Sequence, residues 1–173
     1  RSPYAITKLL GEYYCRFYHD EGRVPTACLR LFNVFGPRQD PNSQYAAVVP
    51  RFITALLRGA GPTVYGDGRQ SRDFTYIDNV VQANWDAAYR GPGKGEAVNV
   101  ACGDRLSLLD LLALLGEIIG ASPSPEFLPA RAGDVLHSQA SIDRARALWG
   151  FRPIVTVQEG MARTVEHFRR TTG

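Results

Sequence analysis

Short apolar runs set between segments of helical periodicity constrain this chain's fold more than any other feature of it. PTACLRLF (25–32) and AVNVA (97–101) are short, β-branched and apolar, so they read as buried strands. Amphipathic helices flank them. SPYAITKLLGEYYCRFYHDEG (2–22) opens with Ser2 as a cap and Pro3 at the first helical position, and Gly22 ends it. IDNVVQANWDAAYR (77–90), with Asp78 a candidate cap, and SLLDLLALLGEIIG (107–120), capped by Ser107, follow the same period. Alternation of this kind indicates an α/β fold built on a parallel sheet.

The remaining segments break the alternation. NVFGPRQDPNSQ (33–44) reads as a Gly/Pro/Asn-rich loop, and AVVPRFITALLRG (47–59) as a helix with Pro50 in its first turn. TVYGDGRQSRDFTYI (63–77) reads as two strands joined by a turn at Gly66–Gly68. PEFLP (125–129) reads as a strand and GDVLHSQA (133–140) as irregular. SIDRARALWG (141–150) and VQEGMARTVEHFRR (157–170) close the chain as helices. The expected division is a sheet-forming part at about 1–35 and 73–103 and a smaller, ligand-covering part at about 36–72 and 104–173. Apolar residues Ile6, Leu9, Leu10, Tyr13, Tyr14, Phe17 and Tyr18 make the first helix apolar on a wide arc, which predicts burial on two sides. Trp85 and Trp149 read as core residues. The sequence opens at Arg1 directly into a helix, and its one Met is Met161, so the expectation is a chain that starts inside a fold.

Composition narrows the function. Among 173 residues, 20 basic and 17 acidic side chains are interspersed, a net charge of +3. That balance does not suit nucleic-acid binding. No run approaches the ~20 apolar residues of a membrane span. Cys15, Cys28 and Cys102 form no CxxC pair and the count is odd, so a reducing, cytoplasmic setting is expected, each thiol packing as a small hydrophobe. His19, His137 and His167 are scattered without metal-ligand spacing, so no metal site is expected.

Three constellations carry chemistry. Tyr4 and Lys8, four apart on the first helix, share one face. A nearby ammonium favours a phenolate, so the pair is a candidate proton shuttle. Asn33 follows a strand directly, where open parallel sheets bind ligands. Arg72 and Arg131 are candidate phosphate ligands, because a guanidinium matches phosphate oxygens in a two-pronged fork. Asp73 reads as a support for backbone turns.

SPYAITKLLGE resembles the YxxxK helix of extended short-chain dehydrogenases/reductases, including the Ser-Pro before the Tyr. LRLFNVFGPRQDPNSQYAAVVPRF, SRDF and RAGDVLHS resemble the matching segments of UDP-sugar 4-epimerases in that family, the RQDPNxxYAAVxP stretch being closest to enzymes acting on UDP-N-acetylhexosamines. The resemblance implies a Rossmann-like, doubly wound sheet with the N-terminal half absent from this chain. It implies NAD as cofactor, with Tyr4 as acid/base, Lys8 lowering its pKa and holding the cofactor ribose, and the strand end at Phe32 against the nicotinamide. It also implies a UDP-sugar substrate contacted by Asn33, Gln39, Ala47, Val48, Tyr65, Arg72, Arg131, Asp134 and Ser138. The implied enzyme is a homodimer built through the Tyr-bearing helix. No GxxGxxG turn for the pyrophosphate occurs in these 173 residues, so the chain alone is expected to be inactive. A 4,6-dehydratase or decarboxylase on the same scaffold, and a non-catalytic nucleotide-binding fragment, are the alternatives.

Overall fold

The computed structural model describes residues 3–42, 47–91, 93–131, 133 and 135–172. Helix α1 (Pro3–Asp20) leads into strand β1 (Cys28–Leu31), which pairs in parallel with β6 (Ala97–Val100) in the register Cys28 to Ala97 through Leu31 to Val100. Strand β2 (Val34–Phe35) follows at once and pairs in parallel with β5 (Thr75–Tyr76). The segment expected as an uninterrupted loop thus contains a short strand, because Val34 and Phe35 carry the chain back to the core. Helix α2 (Val48–Leu57) holds Pro50 in its first turn, where a missing N–H costs nothing.

The expected hairpin over 63–77 does not form. Three separate strands stand there: β3 (Thr63–Tyr65), β4 (Ser71–Arg72) and β5. Each finds a distant partner: β3 pairs in parallel with β8 (Glu126–Leu128), and β4 antiparallel with β7 (Leu106–Ser107). Tertiary partners override local turn chemistry here. Helix α3 (Ile77–Tyr89) starts after Tyr76, not at an Asp78 cap; Asp78 lies in the first turn and pairs with Arg163 at 3.0 Å. Helix α4 (Leu108–Ile119) has the predicted cap, with Ser107 Oγ accepting from the Asp110 N–H at 3.0 Å and the Asp110 carboxylate accepting the Ser107 N–H at 3.2 Å. Helices α5 (Asp143–Trp149) and α6 (Val157–Thr172) complete the chain.

Two apolar cores result. Phe52, Ile53 and Leu56 of α2, Leu111 and Leu115 of α4, and Met161 and Val165 of α6 enclose Phe35, Phe74 and Tyr76. Val98 and Val100 of β6 pack with Ala83 and Ala87 of α3 and with Ala145, Trp149 and Phe151 at α5. The fully buried Asn79 side chain joins α3 to the lead-in of α6. Its Oδ1 accepts from the N–H groups of Ile154 and Val155 at 2.8 and 2.9 Å, and its Nδ2 donates to the Val155 carbonyl at 2.8 Å.

Two burial expectations are corrected. No residue of α1 is buried. It packs on the 3₁₀ turn at Gly93–Gly95 and hydrogen-bonds to Thr26 and to Arg30 of β1, and the described residues supply no second layer over its apolar arc. Trp85 is exposed too, stacked on Tyr89 with ring centres 4.2 Å apart, whereas Trp149 is buried as expected.

Candidate functional site

Five segments converge on one cavity of about 250 Å³. The end of β1 and the start of β2 contribute Asn33 and Val34, and α2 contributes Ala47, Val48 and Arg51. Strand β3 contributes Tyr65, β4 contributes Arg72, and the stretch after β8 contributes Arg131. Six residues expected at the site therefore share one wall: Asn33, Ala47, Val48, Tyr65, Arg72 and Arg131. No Asp or Glu lines the cavity among the described residues.

Asn33 adopts a left-handed conformation (φ 34°), strained for a residue with a side chain. Its amide donates to the Asp73 carbonyl at 3.0 Å, which holds the strain in place. The Asp73 carboxylate accepts the N–H groups of Cys102, Gly103 and Ala140 at 3.0, 3.1 and 3.3 Å. Burial raises its pKa and the three N–H groups counter part of that rise. Asp73 thus ties the ends of β1, β4 and β6 and residue 140 together, as a structural centre behind the site.

The cavity is cationic. The Arg131 guanidinium carbon lies 3.8 Å from the centre of the Tyr65 ring. Arg131 first, and Arg51 after it, hold the Tyr65 phenol below its ordinary pKa. Arg72 Nη1 donates to the carbonyls of Ser71 and Leu136 at 3.0 and 3.3 Å. Helix α2 opens on this space behind Ala47, whose side chain makes no cap hydrogen bond. A helix N-terminus beside three arginines suits a multiply charged anion.

Tyr4 and Lys8 do not line the cavity, but they share a face: Lys8 Nζ lies 5.4 Å from the centre of the Tyr4 ring. Both are exposed, Tyr4 by 70 %. Contacts between α1 and β1 show which way this pair lies. Thr26 Oγ1 donates to the Cys15 carbonyl at 2.8 Å, and Arg30 makes a two-pronged pair with Glu12 at 2.7 and 2.6 Å. Residue numbers fall on α1 as they rise on β1, so the two run antiparallel. Tyr4 stands about 12 Å beyond Glu12 along the helix, and Asn33 about 10 Å beyond Arg30 along the strand. The Tyr4 end of α1 is therefore at the Asn33 end of β1.

Other expected site residues sit apart from the cavity wall. Phe32 is half-buried against the β6 core, next to Asn33. Gln39 donates to the Val34 carbonyl at 3.2 Å, behind the wall, and its Oε1 is buried without a partner. Ser138 donates its N–H to the Ser71 carbonyl at 3.0 Å. Asp134 lies outside the described residues. Sequence reasoning missed Arg51. Its signal was available, since it follows Ala47 by four positions and Val48 by three, on one helical face.

Residues 1–101 match the family described as the NAD dependent epimerase/dehydratase family. A UDP-glucose 4-epimerase of Mycolicibacterium smegmatis is 40 % identical over 169 residues, 97 % of this chain and 53 % of that protein. The crystal structure of a UDP-glucose 4-epimerase of Thermotoga maritima with UDP-glucose superposes with a TM-score of 0.94 at 39 % identity, over 100 % of this chain and 55 % of that one. A UDP-N-acetylglucosamine 4-epimerase of Methanobrevibacter ruminantium, in complex with UDP-N-acetylmuramic acid, gives 0.91 at 37 % identity, over 98 % and 54 %. The chain spans about half the length of the relatives it matches.

Proposed function

Since the chain belongs to the NAD dependent epimerase/dehydratase family, we propose that it forms the sugar-nucleotide side of a 4-epimerase acting on a UDP-hexose or UDP-N-acetylhexosamine. The observation that carries this reading is the meeting of Asn33, Arg72 and Arg131, from three separate segments, on one cavity. Arg72 and Arg131 would hold the diphosphate, with Tyr65, Ala47 and Val48 toward the uridine. Asn33, Gln39 and Ser138 would face the sugar, and Asp134, by the family motif, would lie near the uridine ribose.

The residues at the end of β1 fit the cofactor this reading needs. An ammonium within 5.4 Å of a phenol ring, level with a strand end, suits a group that removes hydride from an alcohol. Lys8, Tyr4 and Phe32 are the residues of this chain that would hold NAD, whose part is to accept a hydride at the sugar C4 and give it back. Tyr4 would take the proton of the C4 hydroxyl while that carbon is oxidised, and return it when the carbon is reduced from its other face. Lys8, one helical turn away on the same face, would orient Tyr4 and hold the cofactor ribose. Arg72 and Arg131 anchor the diphosphate so that the sugar can turn without leaving. The exposed face bearing Leu9, Tyr13 and Phe17 supports α1 as a helix-packing surface in a homodimer of the whole enzyme.

Calorimetry of this chain with UDP tests the binding half of the reading. Saturable binding that Arg72→Ala abolishes supports it, and a wild-type chain that takes up no UDP overturns it. In the NAD-holding enzyme that contains this chain, Tyr4→Phe should cut epimerisation by about 10²–10⁴-fold with little change in UDP affinity. NMR of the product sugar follows the C4 configuration, and full activity in that variant would rule out the proton role.

A further inference from the structure

Among the described residues, the segment that carries Arg131 is joined to the strand that carries Arg72 by a β-bridge between Ser71 and His137. The Ser71 N–H donates to the Leu136 carbonyl at 2.9 Å, and the Ser138 N–H donates to the Ser71 carbonyl at 3.0 Å. The Arg72 guanidinium sits across this seam, donating to one carbonyl on each side of it, Ser71 and Leu136. Two backbone hydrogen bonds are worth only about 1 kcal/mol each net. A seam so short opens locally at low cost.

A second side-chain contact reinforces it beside that of Arg72. Ser71 Oγ and His137 Nδ1 lie 2.9 Å apart. Ser71 is buried, so its hydroxyl needs a partner, while the imidazole sits at the exposed rim. His137 does not line the cavity, and so can touch a ligand there only through other residues. Opening the seam would remove the Leu136 carbonyl from Arg72. Arg131 follows β8, whose own pairing with β3 keeps it at Tyr65, so the seam bears on Arg72.

We propose that His137 is a positioning residue for the anion site: its hydrogen bond to Ser71 keeps Arg72 turned toward the ligand that Arg131 also faces. The inference rests on the reading of the cavity as a nucleoside diphosphate site. A latch of this kind acts on the phosphates and not on the base. His137→Ala should therefore weaken UDP binding about tenfold, the loss of one hydrogen bond's worth of ordering, and leave uridine binding unchanged. His137→Asn, which returns a polar atom near the Nδ1 position, should recover most of the loss. Calorimetry with UDP and with uridine reads both. Equal losses for the two ligands, or none for either, overturn the proposal. If the wild-type chain binds no UDP, the nucleotide reading fails and the latch is judged by amide hydrogen exchange. His137→Ala should speed exchange at Ser138 at least about tenfold while the α4 amide of Leu115 holds. An unchanged Ser138 amide would refute the latch independently of any ligand.

Discussion

The Arg131 guanidinium carbon stands over Tyr65, 3.8 Å from the ring centre, and Arg131 is the largest influence lowering the Tyr65 phenol. Lysine would keep the charge and lose both the stacking and the two-pronged donation. Arg131→Lys should therefore lower UDP affinity by about tenfold, in the range for one charge-assisted hydrogen bond. Arg131 is exposed, so the unfolding midpoint in urea should not move. Calorimetry and denaturation together check the pair of outcomes.

Arg51 supplies a smaller share of the same field. It acts on Tyr65 after Arg131, so the two substitutions should be ordered. Removing a cation raises a phenol's pKa. In an ultraviolet titration, Arg131→Ala should raise the Tyr65 transition more than Arg51→Ala does, and both should raise it above wild type. Arg51→Ala should also weaken UDP binding severalfold, because Arg51 is one of three charges that the described residues place on the cavity wall. A Tyr65 transition indifferent to Arg51 would remove that residue from the site.

Much of this was legible in the sequence for a physical reason. Period and capping are local, so α4 with its Ser107–Asp110 box and the β1/β6 strands stand where the pattern put them. The 63–77 stretch was misread because Gly66 and Gly68 look like a hairpin turn. Strands β3, β4 and β5 instead pair with residues about 30 to 60 positions away in the chain, which no local pattern reports. The wide apolar arc of α1 was read as burial, yet an arc states only what a helix could cover, not what lies against it. At the site, Asn33, Tyr65, Arg72 and Arg131 were found through motifs. Arg51 was missed because an arginine on a helix resembles any solvated one until a cavity is seen beside it.

Asp73 gives a pH-dependent expectation. Its folded pKa is raised, chiefly by burial. Between the ordinary value of 3.8 and the raised one, the native state holds the proton more firmly than the unfolded chain. The stability this group contributes is full below pH 3.8 and is lost as pH rises through the folded value. Asp73→Asn removes that dependence and also turns an amide NH₂ toward at least one of the three N–H donors. The variant should be less stable at neutral pH by about 1–3 kcal/mol, the cost of an unsatisfied buried donor. The deficit should be widest at acid pH and narrow toward neutrality. Urea denaturation of both proteins from pH 3.5 to 7 measures it, and a deficit that widens toward neutrality contradicts the assignment.

Two helical glycines should respond to alanine with opposite signs. Ordinarily the change gains about 1 kcal/mol in a helix interior, since glycine gives up more backbone freedom. At Gly11 of α1 an added Cβ meets nothing within 4 Å, so Gly11→Ala should stabilise. At Gly160 of α6 the same atom would stand 2.7 to 2.9 Å from Cδ2, Cγ and Cβ of Tyr76. That side chain is buried, and its ring lies 5.6 Å from that of Phe35, so it has little room to retreat. Overpacking of this kind costs about 1–3 kcal/mol, which outweighs the propensity gain. Gly160→Ala should therefore lower the unfolding midpoint. Phe35 lines the cavity, so the displaced Tyr76 should also weaken UDP binding, an effect Gly11→Ala should not share. A stabilised Gly160→Ala would mean that α6 and β5 are not packed as closely as the fold requires.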